Sequence, residues 1–257
     1  MIAGVWALVR ASLMTALQYR ASFWGEAATA LLWTTGALIP LFVVYGQTQG
    51  VAGWTWSESL LVMGFFITLE GLLDAFVEPN LRAVVEHVRQ GTLDFVLLKP
   101  IDAQLHVSLH RTAPTRLTHT VAGLGVVAWA ARDLGPSAGD WVAAAVLLAS
   151  GVAILHAIWT LVICTSFWFV RIDNLSFLLR SVLDAGRWPL GFYRGAVRFA
   201  LTFLLPVGLM TTFPALALRG ALSPAAGGMA LGVAAVFVVA ARVGWTVALR
   251  QYSSASS

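Results

Sequence analysis

Residues 141–170 read WVAAAVLLASGVAILHAIWTLVICTSFWFV, thirty positions without one Asp, Glu, Lys or Arg, bounded by Trp141 and by Phe167, Trp168 and Phe169. At 1.5 Å per residue a helix of this length covers about 45 Å, more than the roughly 30 Å hydrocarbon core of a bilayer. The segment therefore reads as a transmembrane helix that tilts or runs past the membrane. The rest of the chain has the same character. Its 257 residues are 59% apolar and 11% charged, with a mean hydropathy of +0.81, whereas soluble domains carry about 25% charged residues. Such a composition cannot furnish a water-facing surface, and a soluble enzyme is excluded. Low polarity excludes disorder, and the 23 glycines show no collagen period. Cys164 is the one cysteine, so no intrachain disulfide or zinc cluster of cysteines can form.

Six segments are long and apolar enough to cross, at about 27–46, 57–77, 113–131, 141–170, 196–218 and 225–248. The third is short and needs its flanks. Residues 2–24 are interrupted by Arg10, Gln18 and Arg20 and lack a small-residue cleavage site, so they form neither a span nor a signal peptide. With Val5, Leu8, Val9, Leu13, Ala16 and Leu17 on one side, this stretch reads as an interfacial helix within residues 1–26. The chain is thus expected to be an all-α membrane protein with a single transmembrane domain over 1–257. Of 15 Arg and one Lys, 14 fall on one side of these spans; only Arg132 and Arg219 fall on the other. Lys and Arg concentrate on the cytoplasmic side. Both termini and the loops near 78–112 and 171–195 are accordingly expected in the cytoplasm.

Several chemistries are missing. No G-x-x-x-x-G-K-[ST] loop exists, since Lys99 is followed by Pro100, so this chain offers ATP no phosphate cradle. Energy must come from a gradient or from another subunit. Ser150-Gly151 lacks the preceding glycine of a hydrolase elbow. His106 and His110 stand one helical turn apart without a third ligand nearby, so no metal site is expected. No basic block stands apart from the apolar segments, and nucleic acid is excluded as a partner.

Between the second and third spans, Leu81, Val84, Val85 and Val88 recur at i, i+3, i+4 and i+7, the stripe of a short amphipathic helix that Gly91 ends. A second apolar run, Leu93 and Phe95 to Leu98, stops at Pro100. Two stiff, partly apolar elements have two readings: a cap lying on the membrane, or a docking helix whose side chains enter a groove on a soluble partner. Joined directly to two spans, a docked element could carry a partner's motion into the membrane.

Glu70, Asp74 and Glu78 repeat every four residues and share one helix face, continued by Arg82 and Glu86. A carboxylate at membrane depth costs on the order of 2.5–3.5 kcal/mol and faces protein or water rather than lipid. These acids either pair with Arg10, Arg20 or a loop arginine, or form a cation-attracting entrance to a translocation path. His156, Thr160 and Cys164 form a polar stripe in the fourth span, either interhelical glue or part of that path. Pro206 and Pro214 are expected to kink the fifth span. In the sixth, Gly227, Gly228, Gly232, Ala234, Ala235 and Gly244 offer a seam for close helix approach. Residues 171–187 read as a second amphipathic helix, with Arg187 before Trp188-Pro189 marking the return into the bilayer.

The string Gly91-Thr92-Leu93-Asp94-Phe95-Val96-Leu97-Leu98-Lys99-Pro100-Ile101 resembles the Gly-x-Leu-Asp-x-x-Leu-Leu-Arg/Lys-Pro signature of permease subunits of type-2 ABC exporters, in the six-span bacterial branch associated with drug and viologen efflux. Trp188-Pro189, Leu205-Pro206 and Pro214-Ala215 resemble later landmarks of that family in order, with Trp188 where a tyrosine or phenylalanine is commoner. The resemblance implies an interfacial helix before the first span and a coupling helix in the 78–102 loop. It also implies two permease chains, alike or paralogous, in the bacterial inner membrane. ATP and Mg²⁺ would be bound by a separate nucleotide-binding subunit, with no cofactor in this chain. The coupling residues are then expected to be Glu86, Arg89, Gly91, Leu93, Asp94, Phe95, Lys99 and Pro100, and the substrate path Glu70, Asp74, His156 and Thr160. The rival class is a secondary transporter or channel driven by an ion gradient, which would call for inverted repeats and paired intramembrane acids.

Overall fold

The computed structural model describes residues 20–99, 102–109, 111–168 and 173–252. Most of the expected interfacial helix, Arg10 included, lies outside the described residues, as do Pro100, His110 and Arg171. Among the described residues the chain is helical, with no strand beyond an isolated bridge between Val51 and Trp54.

Helix α1, Arg20–Tyr45, starts inside the segment assigned to the interface, because nothing between Arg20 and Glu26 breaks it. A tight turn through Ala52 and Gly53, both at positive φ, leads to α2, Trp56–Leu72. Thr55 and Glu58 close the start of α2 with a reciprocal capping box. A single π turn, Leu73–Val77, joins α2 to α3, Glu78–Gln90. Pro79 explains the π turn. It has no N–H for the Ala75 carbonyl, and the Ala113 amide donates there instead at 2.8 Å. The rod Trp56–Gln90 is 35 residues long, about 52 Å, so it outruns any bilayer. After α4, Asp94–Leu97, and α5, Ala103–Leu109, a 3₁₀ turn at Pro114–Arg116 opens α6, Leu117–Ala131. Ser137 and Asp140 cap α7, Ala138–Thr165, by the same reciprocal arrangement. The chain continues through α8, Asp173–Leu183, α9, Gly195–Phe199, α10, Val207–Leu218, and α11, Pro224–Gln251.

Among the described residues four helices are long and apolar enough to cross a membrane: Trp24–Tyr45, Trp56–Gln90, Ala138–Thr165 and Pro224–Gln251. The expected fifth span differs from its reading as one kinked helix. A π turn at Ala200–Leu204 extends α9, and then Leu205 and Pro206 leave helical geometry, with φ −127° and −74° and ψ 83° and 52°. The Val207 amide closes a γ-turn around Pro206 by donating to the Leu205 carbonyl at 2.6 Å. The two helical pieces meet at 89°. A proline disfavours helical geometry in its predecessor and removes a donor; Leu205 takes the extended geometry and the helix breaks, whereas Glu78 before Pro79, also just after a π turn, stays helical and its rod runs on. Counted as one span, the pair brings the total to five. Pro214, by contrast, sits inside α10, which runs on to Leu218. Helix α6 has 15 residues, about 22 Å, less than the hydrocarbon thickness.

Helix α2 is apolar all round and buried along most of its length, the signature of a central helix. Against it α6 packs at backbone distance. A Cβ on Gly64 would lie 2.7 Å from the Val127 side chain, one on Gly123 would lie 2.5 Å from the Thr68 amide, and Gly71 faces Thr120 as closely. This seam was not anticipated; the small residues of the sixth span were singled out instead. There α11 packs on α7 through Ala230, Ala234, Ala241, Trp245 and Ala248, while Gly228 and Gly232 face open space. Replacing Gly123 by Val should therefore cost about 1–3 kcal/mol through forced separation of α2 and α6. Gly125→Ala, which meets nothing within 4 Å, is the control, and thermal unfolding in detergent is the measurement. Equal melting temperatures for the two variants would contradict the seam.

The second half of the 171–195 loop does not stay at one end of the bundle. Gly186 lies against Val207 and Phe66, Leu190 covers Gly208, and Gly191 abuts Trp54 in the turn before α2. The Leu190 amide donates to Thr212 Oγ1 at 3.2 Å, and the Tyr193 hydroxyl to the Ala185 carbonyl at 2.9 Å. Apolar Trp188, Leu190 and Phe192 thus run along α2 and α10.

Candidate functional site

The acids of α2 meet a cation from a distant part of the sequence. Arg180 of α8 donates to Asp74 at 2.7 Å and also pairs with Glu78. Next to them Arg187 pairs with Asp184 at 3.0 Å, its guanidinium 5.0 Å from the centre of the Phe66 ring. Glu70 behaves differently from its neighbours. Among the described residues its carboxylate takes part in no hydrogen bond and no ion pair.

Glu70 and Arg187 form a wall shared by two cavities. One, of about 170 Å³, is enclosed by Phe66, Leu69, Leu155, Val207 and Met210 together with the charged groups Arg180 and Asp184. The other, of about 460 Å³, lies between α1, α2 and α6 and is lined by Trp33, Thr34, Gly36, Ile67, Asp74, Arg116 and His119. Arg116 is engaged with Glu26 at 3.4 Å. The arrangement places a carboxylate without a hydrogen-bond partner, with Arg187 in the same wall, between two spaces that mix apolar and charged linings.

His156 and Thr160 lie apart from that wall. They border a small pocket between α3, α5 and α7, and His156 also lines a groove of about 490 Å³ with Phe76, Leu105 and Ser108. His156 Nε2 is 3.3 Å from the Ser108 hydroxyl, and Thr160 Oγ1 donates to the His156 carbonyl at 2.9 Å. The structure therefore brings Glu70 together with Asp74 but not with His156 and Thr160.

The 78–109 segment is a braced assembly. Its brace is Asn80, 3% exposed: Nδ2 donates to the carbonyls of Phe76, Ser108 and Arg111, the last two at 3.0 and 2.6 Å, while Oδ1 accepts from the Arg111 amide at 2.7 Å. Sequence reading passed over Asn80, since only apolar and charged positions of that helix were weighed; a lone Asn directly after a proline was the available signal. At its far end α3 stops at Gly91, φ 66°. There the Thr92 amide donates to the His87 carbonyl at 2.9 Å and the Gly91 amide to Val88 at 3.3 Å, a Schellman ending. His87 Nδ1 lies 2.8 Å from Thr92 Oγ1.

Beyond Gly91 the apolar residues divide. Leu93 is fully buried and Val96 nearly so, whereas Phe95 and Leu98 are 71% and 80% exposed. Glu86 lies on the exposed side of α3, bonded to Gln90, and Lys99 Nζ stands 3.0 Å from His106 Nε2. Asp102 caps α5 through the Leu105 amide at 3.0 Å and binds Arg242 of α11 at 2.6 Å. The Arg242 guanidinium, with the Leu105 amide, holds its carboxyl below the usual carboxylate range. At the other end of α2, Glu58 pairs with Arg219 at 2.7 Å, and the Arg219 guanidinium lies 5.3 Å from the Trp54 ring centre, fastening α10 to α2. Among the described residues no group of three His, Cys, Asp or Glu could hold a metal ion.

The family described as "ABC-2 family transporter protein" matches residues 31–256. No curated protein and no solved structure matches the chain.

Proposed function

The chain belongs to the ABC-2 family of transporter proteins, and from that premise we propose that it is the permease subunit of an exporter driven by a separate nucleotide-binding ATPase. In this reading it crosses a bacterial inner membrane six times, with α6 as the third crossing, the whole segment 184–218 as the fifth, and both termini cytoplasmic. Two such chains, alike or paralogous, form the path. The observation that carries the reading beyond the family is the turn after Gly91. Phe95 and Leu98 project from an element whose Leu93 and Val96 are anchored in the core, and that element caps a rod continuous with the second span. An exposed apolar pair on a rigid mount is what a groove on a soluble partner requires.

ATP, held with Mg²⁺ by the partner, closes the ATPase pair and pushes the α3–α5 element, shifting the spans between inward-open and outward-open forms. Only the difference in ATP binding between those forms can drive the shift. The substrate is a lipophilic or drug-like compound, cationic in the form that Glu70 and Asp74 attract.

Vesicles test this. The purified chain alone should move nothing uphill, and uptake should appear when the ATPase and ATP are added to inside-out vesicles. Uphill pumping by the chain alone under a proton or sodium gradient would support the rival, a secondary transporter, for which the break at Pro206 and the unpaired Glu70 speak. Glu70→Gln should slow transport of a lipophilic cation several-fold more than that of a neutral analogue. Equal slowing would remove Glu70 from the entrance.

A further inference from the structure

His156 holds a hydrogen-bond acceptor that no described residue uses. Its Nε2 faces two hydroxyls, Ser108 Oγ at 3.3 Å and Thr160 Oγ1 at 3.5 Å. Both hydroxyls have already given their hydrogens to backbone carbonyls, Ser108 to Gln104 at 2.7 Å and Thr160 to His156 itself at 2.9 Å. A hydroxyl has one hydrogen, so each can only accept from the ring, and Nε2 must carry the imidazole proton. Nδ1 is then a bare lone pair. Among the described residues it has no hydrogen-bond partner, and no carboxylate pairs with the ring. Unlike the Trp159 indole nitrogen, Nδ1 is not closed off by packing. It opens onto the spaces that His156 borders, of which the larger is the groove of about 490 Å³ between the π turn, α5 and α7.

Most of the groove wall is apolar, formed by Leu72, Phe76, Leu105, Val152 and Leu155. Its carboxylate, Asp102, takes both arms of Arg242 at 2.6 and 3.1 Å, and Gln104 gives its side-chain carbonyl to the same guanidinium at 2.9 Å. Acid and base neutralise each other there, so neither a cation nor an anion finds a free counter-charge. The Gln104 amide nitrogen is a further donor in this wall. We propose that the groove binds an uncharged hydroxyl compound with a compact apolar body, a phenol or an alcohol, whose O–H donates to His156 Nδ1. One acceptor in an apolar space selects a ligand by the donor it carries, because a ligand without that donor buries Nδ1 unpaired. The groove lies apart from the Glu70 wall, and binding there does not rest on the permease reading.

The test places the purified full chain in phosphatidylcholine nanodiscs, whose lipid has no O–H to compete. Equilibrium dialysis against empty discs then measures saturable binding of 2-naphthol and of its methyl ether, 2-methoxynaphthalene. The naphthol should bind about three- to tenfold tighter, the net worth of one neutral hydrogen bond. His156→Phe keeps a ring without the acceptor and should bring the two affinities together. Leu105→Trp, at an edge of the groove that is 37% exposed, fills the space and should abolish saturable binding of both compounds while the fold survives. Equal affinity of the two compounds for the unaltered chain, no saturable naphthol binding, a preference that survives His156→Phe, or binding untouched by Leu105→Trp overturns the proposal. Vesicle transport reads the permease assignment separately. ATP-driven transport with no naphthol binding removes the groove alone. Naphthol binding without ATP-driven transport removes the permease reading alone.

Discussion

Phe95→Asp combined with Leu98→Asp is expected to abolish capture of the ATPase subunit and all ATP-driven transport while leaving the fold intact. Both side chains project into solvent, and exposed substitutions of this kind change stability within about 0.5 kcal/mol. In a closed interface, however, each carboxylate would be stripped of water without a partner. Loss of one central apolar anchor costs about 2 kcal/mol or more of binding, and two buried charges in place of two anchors exceed that. Leu93→Ala is the contrast. Leu93 is fully buried, so its truncation should lower stability by about 2–5 kcal/mol and impair docking only by loosening the mount. Co-purification on a tagged ATPase together with a melting curve separates the two. Undiminished capture by the double Asp variant would end the docking assignment of this turn.

Asn80→Ala should uncouple. The change leaves the Ser108 carbonyl and both backbone polar atoms of Arg111 without their partner, and unsatisfied buried groups cost about 1–3 kcal/mol each. Partial rescue by water brings the expected stability loss to about 2–4 kcal/mol. In the assembled transporter, α3 would then move without carrying the start of α6. ATP hydrolysis should persist while transport falls at least several-fold. Asn80→Asp keeps the acceptor for the Arg111 amide but turns a carboxylate on three carbonyls, so it should do no better. A variant that keeps both its melting temperature and its ratio of transport to hydrolysis would show the brace to be dispensable.

The long apolar runs were legible because one residue class decides them. The segments that became α1, α2, α7 and α11 announce themselves by length alone. The fifth was legible as a place but not as a shape, since Pro206 looks the same in a bent span and a broken one. What distinguishes the two is the residue before the proline, extended at Leu205 and helical at Glu78 before Pro79, which local sequence does not encode. The stripe Glu70, Asp74 and Glu78 was visible from its spacing. Its partner was not, because Arg180 comes about a hundred residues later and competes with many other arginines. Gly64, Gly71 and Gly123 were overlooked for a related reason: a glycine in an apolar helix acquires meaning only when the facing backbone is known.

In the proposed transporter, Asn80 as the pivot of the Trp56–Gln90 rod would set a mechanical ratio. From this fulcrum about 15 Å of helix extends to Gln90 and about 36 Å to Trp56. A stroke of about 2 Å at the short arm then sweeps the long arm through roughly 5 Å, more than enough to tear Glu58 from Arg219, now 2.7 Å apart. The gearing favours travel over force, so the far clasp must be weak enough to yield to a reduced pull. That clasp joins a buried Glu58 to an Arg219 partly open to solvent and lying over Trp54.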